Sequence, residues 1–590
     1  MTMMLHDSHK AFFRQPMGPA VAGSQVTIRF QCDEATAVIL RTWHDEELCY
    51  AMLNTGDDVW ETSVLLPENP GLYWYRFIVY RKDGRTLTYG NQPDQLGGEG
   101  MIYTEGEAES FQITVYDKAF TTPSYFHSAN IYQIFPDRFF RAKTQAKDDR
   151  EDRYLHEKWD EEMISVGDMR GGKYQELDFY GGNLNGVREK LPYLKELGVD
   201  IIYLNPIFRA RSNHRYDTGD YSKIDPLCGT EAEFEILCEE AKSYGMRVLL
   251  DGVFSHTGED SIYFNHFGHY PNLGAYQGES SPYYEWYTFK KFPEDYRAWW
   301  GIMSLPELVK SNPDYQKYMF RDKEGIVPRW INKGACGWRL DVADELSMDF
   351  LRKLRIAARK ADPEAVVLGE VWEDASNKVA YGEMRCYCIG DTLDSVMNYP
   401  LREAILAFAT GKSTAKDFVR LVKHQAEVYP AQFRYALMNL VGSHDRPRAL
   451  NMLVDKGCMD LPKDEQQHIH LTVDEYELAV KRYKMCIDLL CALPGCPTVY
   501  YGDEAGLCGC HDPWNRRPFP WGKEDKALTQ YVSNKLTHRQ QSDVLKYGLC
   551  DIEAIDADTI SITRYMDGGL DGLGNPTTCQ EREVITVCRS

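Results

Sequence analysis

Carboxylates recur at four places in this sequence, with arginine or histidine beside three of them. They are Asp251 and His256 in Asp251-Gly-Val-Phe-Ser-His256, Arg339-Leu-Asp341, Glu370 and Trp372 in Gly369-Glu370-Val-Trp372, and Ser443-His444-Asp445. Any one of these acids reads equally well as a helix cap or half of an ion pair. Four brought together would be harder to explain that way, because crowded carboxylates repel and hold protons more tightly. Glycoside hydrolysis is a chemistry that needs such a crowd. One ionised carboxylate attends the anomeric carbon while a protonated neighbour gives its proton to the leaving oxygen.

These acids meet only if each follows a strand of one barrel. From about residue 119, short apolar runs alternate with helical stretches. The runs are Asn130–Phe135, Val199–Leu204, Arg247–Leu250, Gly337–Leu340, Ala365–Leu368, Leu393–Met397, Leu437–Val441 and Thr498–Tyr501. Leu184–Leu197 and Thr230–Tyr244 read as helices between them. This alternation predicts an α/β fold, a (β/α)8 TIM barrel over 119–525, whose active site collects the residues just past the strand ends. The long aromatic stretch after the third strand, about 254–330, is expected to be an inserted subdomain. Its Tyr283-Tyr-Glu-Trp-Tyr287 and Trp299-Trp300 read, one by one, as the core of that subdomain.

The flanks are β-rich. Val26–Phe30, Ala37–Thr42, Trp60–Leu66, Tyr73–Tyr80 and Phe111–Val115 are separated by turn signals, which predicts an N-terminal β-sandwich over 1–118. Sugar binding, contact between two copies and plain packing all remain open for it. The segment 526–590, with Thr559–Tyr565 and Val584–Val587, is expected to form a short C-terminal β domain, abbreviated or cut short.

Composition narrows the partners. Lys and Arg number 67 against 89 Asp and Glu, a net charge of −22, which argues against nucleic acid or an anionic membrane. No segment is long and apolar enough to span a bilayer. The 16 cysteines are irregularly spaced, with Cys508 and Cys510 forming a CxC, and fit neither a zinc site nor a disulfide framework. Unpatterned thiols and an N-terminus without a signal-length apolar run lead to the expectation of a cytoplasmic protein.

Taken in order, Tyr132-Gln-Ile-Phe-Pro-Asp-Arg-Phe139, Ser212-Asn-His-Arg-Tyr-Asp-Thr-Gly-Asp-Tyr221, Gly337-Trp-Arg-Leu-Asp341, Val396-Met-Asn-Tyr-Pro400 and Asp512-Pro-Trp-Asn-Arg-Arg-Pro-Phe-Pro-Trp521 resemble the α-amylase family of glycoside hydrolases. The branch they resemble most is that of the neopullulanases, cyclomaltodextrinases and maltogenic amylases. The resemblance covers about 125–525. It implies that Asp341 is the nucleophile, Glu370 the general acid and base, and Asp445 the third carboxylate, holding sugar hydroxyls. Arg339 would keep Asp341 ionised, and Asp251 would support the site from behind. His256 and His444 would hydrogen-bond the sugar just before the cleaved bond, with Tyr216 as its platform and His214 beside it. Asp512 and Arg516 would contact the same sugar, and Trp372 would touch substrate. The substrate implied is an α-glucan, and dimers of this branch join through the N-terminal domain.

Three departures matter. Ser255 stands where relatives carry a calcium-ligating Asn, and Phe140–Lys147 has no acid, so a structural calcium is disfavoured and no cofactor is expected. Arg446 replaces a Thr beside the third carboxylate. The C-terminal domain is short. The leading reading is an endo-acting, retaining hydrolase of α-1,4-glucosidic bonds in maltooligosaccharides, cyclodextrins, pullulan or starch. A transglycosylase using the same residues, an α-glucosidase or sucrose-type enzyme, and a non-catalytic glucan-binding protein are the alternatives.

Overall fold

Eight short parallel strands close on themselves in the middle of the chain. In the computed structural model, which describes residues 3–143, 150–164 and 176–589, they are β1 (Ile131–Ile134), β2 (Ile201–Leu204), β3 (Arg247–Gly252), β4 (Ala335–Leu340), β5 (Val366–Gly369), β6 (Ser395–Val396), β7 (Met438–Leu440) and β8 (Cys496–Tyr500). Neighbours pair in chain order, β8 pairs with β1, and a bridge from Met397 to Met438 closes β6 on β7. They are buried along nearly their whole length and mostly apolar, because a strand inside a ring of helices meets core on both sides. Ile131, Ile201, Tyr203, Leu249, Val366, Leu368 and Leu440 fill the interior, while Tyr132, Ile202, Leu250 and Val367 pack outward.

One irregularity aims the chemistry. Along β4 the register slips, so that Val248 faces Ala335 while Leu250 faces Trp338. The extra residue is a bulge, and Gly337 permits it. Its φ is +154°, and a Cβ there would lie 2.1 Å from the Val366 carbonyl oxygen. Cys336 belongs to the interior, yet two residues later Trp338 packs outward. The bulge has flipped the alternation, and it leaves Arg339 and Asp341 on the inner face.

Three expectations about the barrel's surroundings need correction. Leu184–Leu197 is two helices, Leu184–Glu189 and Leu191–Leu197, because Pro192 carries no N–H and starts a new helix. The segment from about 526 is not β at first. Lys526–Gln541 and Asp543–Tyr547 are helices, the first packing against Leu191–Leu197 and Val473–Ala492, and the C-terminal sheet begins only at Leu549. Polar, strong helix formers such as Lys526, Gln530 and Lys535 carried that signal. The excursion after β3 also ends earlier than about 330. Asn312 caps a helix, Pro313–Phe320, and Ile326–Asn332 then packs against β4 as an ordinary barrel helix.

The N-terminal residues form two facing sheets around Phe30, Leu40, Tyr75, Phe77 and Phe111. Strands Glu47–Ala51, Thr86–Gly90 and Met101–Tyr103 were not legible as runs, because they lie near the edges and bury little. Arg14 clamps this domain to the barrel through Glu427 at 3.0 Å, and Gln112 donates to Ser376 Oγ at 3.0 Å. All sixteen cysteines are free thiols. Among the described residues no helix is long and apolar enough to cross a membrane.

Candidate active site

The strand ends deliver one guanidinium among four acids. Arg339, fully buried, donates Nη1 to Asp251 Oδ1 at 2.8 Å and to Asp341 Oδ1 at 3.0 Å, and its Nη2 is ion-paired with Glu370 Oε2 at 2.8 Å. Asp341 and Glu370 therefore lie within the span of a single guanidinium. The turn after β4 finishes the arrangement. Val342 adopts a left-handed φ of +38°, a strained conformation for a β-branched residue, and its N–H donates to Glu370 Oε2 at 2.8 Å. Trp372 Nε1 donates to Glu370 Oε1 at 3.0 Å.

Electrostatics follow from this crowding. Burial, opposed by Arg339 and reinforced by Glu370, Asp251 and Asp445, holds the Asp341 carboxyl well above its usual range. Burial and Glu370 push Asp445 up to about 7. Burial likewise raises Asp251 against the pull of Arg339. Asp251, Asp341 and Asp445 share their titration, and the cluster keeps a proton near neutrality.

A second layer of contacts fixes the aromatic wall. Tyr216 stacks on His444 with ring centroids 5.2 Å apart and planes 5° from parallel. The Tyr216 hydroxyl donates to Asp251 Oδ2 at 2.9 Å and sits 2.6 Å from His444 Nε2. Gln133 Nε2 lies 2.9 Å from His444 Nδ1, an orientation that leaves the ring proton on Nε2, facing Tyr216 and Asp445. Burial and the Arg339 charge hold His444 well below the ordinary histidine range, so it is neutral. Burial lowers His256 to about 3; its Nδ1 meets Ser255 Oγ at 2.9 Å. His214 is the exception: burial alone would lower it, and the Glu176 carboxylate at 2.9 Å more than reverses that.

These groups line a cavity of about 1210 Å³. Asp341, Glu370, Asp445, His256, His444, Tyr216, His214, Asp512, Arg516 and Trp372 all border it. Arg516 holds Asp512 at 2.8 Å and lies 3.8 Å from Asp445. The sequence profile of the alpha-amylase catalytic domain matches residues 133–543. The chain belongs to the α-amylase family of glycoside hydrolases. An amylopullulanase of Thermoanaerobacterium saccharolyticum is 37% identical across 97% of this chain, which spans 47% of that protein. The chain thus covers about half the length of this relative. Neopullulanase 2 of Thermoactinomyces vulgaris is 31% identical over 79% of the chain and 72% of its own length. A cyclomaltodextrinase structure superposes with a TM-score of 0.66 at 27% identity, covering 96% of this chain and 89% of that one.

Within this α-amylase-family site Arg339 and Asp251 do not border the cavity; Asp251 backs Arg339, which reaches up to Asp341 and Glu370. Other expected roles change. Trp372 borders it, but one ring face stacks on Tyr399 at 3.9 Å and the Arg446 guanidinium covers the ring at 4.4 Å. Its edge, not its face, is left for the site. Arg446 thus lies on Trp372. Trp299 and Trp300 are not subdomain core: they stack on each other and border the cavity, Trp300 being 74% exposed. Trp286 and Tyr287 are core, each 4% exposed.

Ser255 spends its hydroxyl on His256, and a hydroxyl is a poorer hard-cation ligand than the amide oxygen of an Asn, so calcium stays disfavoured at this position. The other calcium reading, at Phe140–Lys147 and Asp148, falls from 144 onward outside the described residues. Gln133, Tyr203 and Asn205 went unread as site residues. Tyr203 donates to Asp251 at 2.6 Å and Asn205 to Tyr216 at 2.9 Å. Counting by twos from Ile131 and Ile201 lands on all three, so period-two parity was the available signal. Glu176 sits on a loop and had none.

Proposed function

We propose that this chain is an endo-acting, retaining hydrolase of α-1,4-glucosidic bonds in maltooligosaccharides, cyclodextrins, pullulan or starch. The observation that carries the reading is the shared guanidinium: Arg339 touches Asp341 and Glu370 at once, beneath a cavity walled by Tyr216 and His444. The names of the similar proteins, amylopullulanase, neopullulanase and cyclomaltodextrinase, supply the substrate class.

In this mechanism the proton that the cluster keeps lies on Glu370 when substrate is bound, and the Asp341 carboxylate, held by Arg339, attacks the anomeric carbon as the glycosidic C–O bond breaks. Glu370 gives its proton to the departing oxygen, leaving a glucosyl ester on Asp341. The Glu370 carboxylate then takes a proton from water, whose oxygen attacks the same carbon and frees Asp341. Arg339 stabilises the carboxylate that each half-reaction produces. Neutral His444 and Asp445 hold sugar hydroxyls, and Tyr216 supports the ring face. No metal takes part, and activity is expected to survive chelation by EDTA.

Product analysis on β-cyclodextrin, pullulan and soluble starch tests the reading, with Asp341→Asn as control. The wild type should release maltooligosaccharides, and the variant should lose about 10⁴-fold or more in kcat. Absence of cleavage on all three glucans would overturn the substrate class; an active variant would overturn the nucleophile.

A further inference from the structure

Arg446 has no part in the two half-reactions, although it borders the cavity and stands where relatives carry Thr. Among the described residues ten acids and three arginines border that cavity. Arg516 is paired with Asp512 and Arg211 with Asp152. The Arg446 side chain makes no ion pair and no hydrogen bond among the described residues, and its enclosed Nε has no partner. What holds it is Trp372. The guanidinium lies 4.4 Å over one face of that ring, whose other face rests on Tyr399 at 3.9 Å, a stack of three. Contact with an indole face consumes none of the five N–H donors of a guanidinium, so they stay available to a ligand.

The stack stands where the leaving group must be. Glu370 Oε2 is ion-paired with Arg339 and accepts the Val342 N–H, both at 2.8 Å. Oε1 is left to carry the proton, and among the described residues its partner is Trp372 Nε1 at 3.0 Å. The oxygen that receives this proton therefore comes up against Oε1 and the Trp372 edge, and the sugar it belongs to extends along the stack. Arg446 also follows Asp445 in the chain, the carboxylate that serves the sugar on the other side of the cleaved bond. The crowd of acids makes the cavity hostile to a phosphate or a carboxylate. A ligand for this guanidinium is therefore neutral, and its acceptors are hydroxyls.

We propose that Arg446 binds the glucose unit on the leaving-group side of the cleaved bond, its planar fork donating to two neighbouring ring hydroxyls, and thereby favours a sugar over water as the acceptor. Thr in the same position has one hydroxyl, no charge and a shorter reach. A glucose unit held by Arg446 competes with water for the glucosyl ester on Asp341. Its hydroxyl oxygen attacks the anomeric carbon, the hydroxyl proton passes to the Glu370 carboxylate, and the ester bond breaks to free Asp341. The product is a longer maltooligosaccharide. This inference rests on the α-glucan reading of the catalytic site.

The test uses the full-length protein with α-maltosyl fluoride as donor and maltose as acceptor. Fluoride leaves with little help from an acid and brings no hydroxyls to the leaving-group side, so its release counts every glucosyl ester formed. The readout is transfer product per fluoride released, across a range of maltose concentrations. Both products come from the same folded molecules, so the ratio does not depend on how much of a variant folds. In Arg446→Thr the ratio at low maltose should fall about tenfold. Arg446→Lys keeps the charge without the fork and should lose about threefold. A ratio in Arg446→Thr equal to that of wild type overturns the proposal, and if fluoride release has fallen as well, the arginine acts only by holding Trp372 against Glu370. A wild type that releases fluoride but makes no transfer product sinks this inference alone. One that turns over neither the fluoride nor maltotriose sinks the catalytic reading with it.

Discussion

Arg339 and Trp300 shape the same cavity and share almost nothing else. Arg339 is fully buried on a strand whose bulge at Gly337 sets its direction, and it touches three carboxylates. Trp300 is 74% exposed, sits on a loop at a left-handed φ of +49°, and is tied by one N–H to Glu345 Oε1 at 2.9 Å. Tyr381, on the loop after β5, donates to that same Glu345 oxygen at 2.6 Å. The floor is thus fixed by strand register, and the rim by one carboxylate joining loops from three strands. A floor built this way is preorganised for charge in the transition state, whereas a rim built this way can yield to different substrates.

Substitutions can break that contrast. On the floor, Arg339→Lys keeps the charge but not the fork that spans Asp341 and Glu370. It should lower kcat about 10²–10³-fold with little change in KM, by steady-state kinetics on maltotriose. A mere KM effect would mean the guanidinium binds sugar rather than positions the acids. At the rim, Trp300→Ala should do the reverse, raising KM for soluble starch about tenfold while kcat stays within about twofold. An equal loss of kcat would erase the distinction. Trp372→Phe probes the boundary. It keeps a ring between Tyr399 and Arg446 but removes the N–H on Glu370 Oε1, so kcat should fall about fivefold at constant KM.

The same contrast explains what the sequence made legible. Asp251, Arg339, Asp341 and Glu370 are reached by finding strands and reading their ends, because a period of two leaves little freedom once an apolar run is found. Gln133 and Tyr203 obey the same parity and were available to it. The rim had no such rule. Trp299-Trp300 and Tyr283-Tyr-Glu-Trp-Tyr287 are equally aromatic stretches of one excursion, yet the first pair borders the cavity and Trp286 and Tyr287 fill a core. What separates them is tertiary: Trp300 finds Glu345, and Trp286 finds Tyr263 and Tyr315. The misplaced start of the C-terminal sheet has a local cause. Lys526–Gln541 has a weak apolar stripe, with Leu528, Val532 and Leu536 buried every fourth residue, and the strands beyond it dominated the reading.

Asp445 belongs to both regions, and it carries the smallest effect. Its side chain is 28% exposed on the cavity wall, yet burial and Glu370 hold its carboxyl at about 7. In an unfolded chain an aspartate titrates near 3.9. The folded protein therefore binds this proton more tightly than the unfolded one. The resulting stabilisation is fully present below about pH 4 and is lost as pH rises to about 7; above that the folded state carries a charge it resists. Asp445→Asn removes the titration while keeping the size. Its melting temperature should match wild type near pH 4, rise above it across the interval, and stay about 2–4 °C higher at pH 8. Differential scanning calorimetry at fixed ionic strength measures this. A variant that melts lower than wild type at pH 8 would show that Arg516 and His444 outweigh the crowding, and that Asp445 sits with the rim rather than the floor.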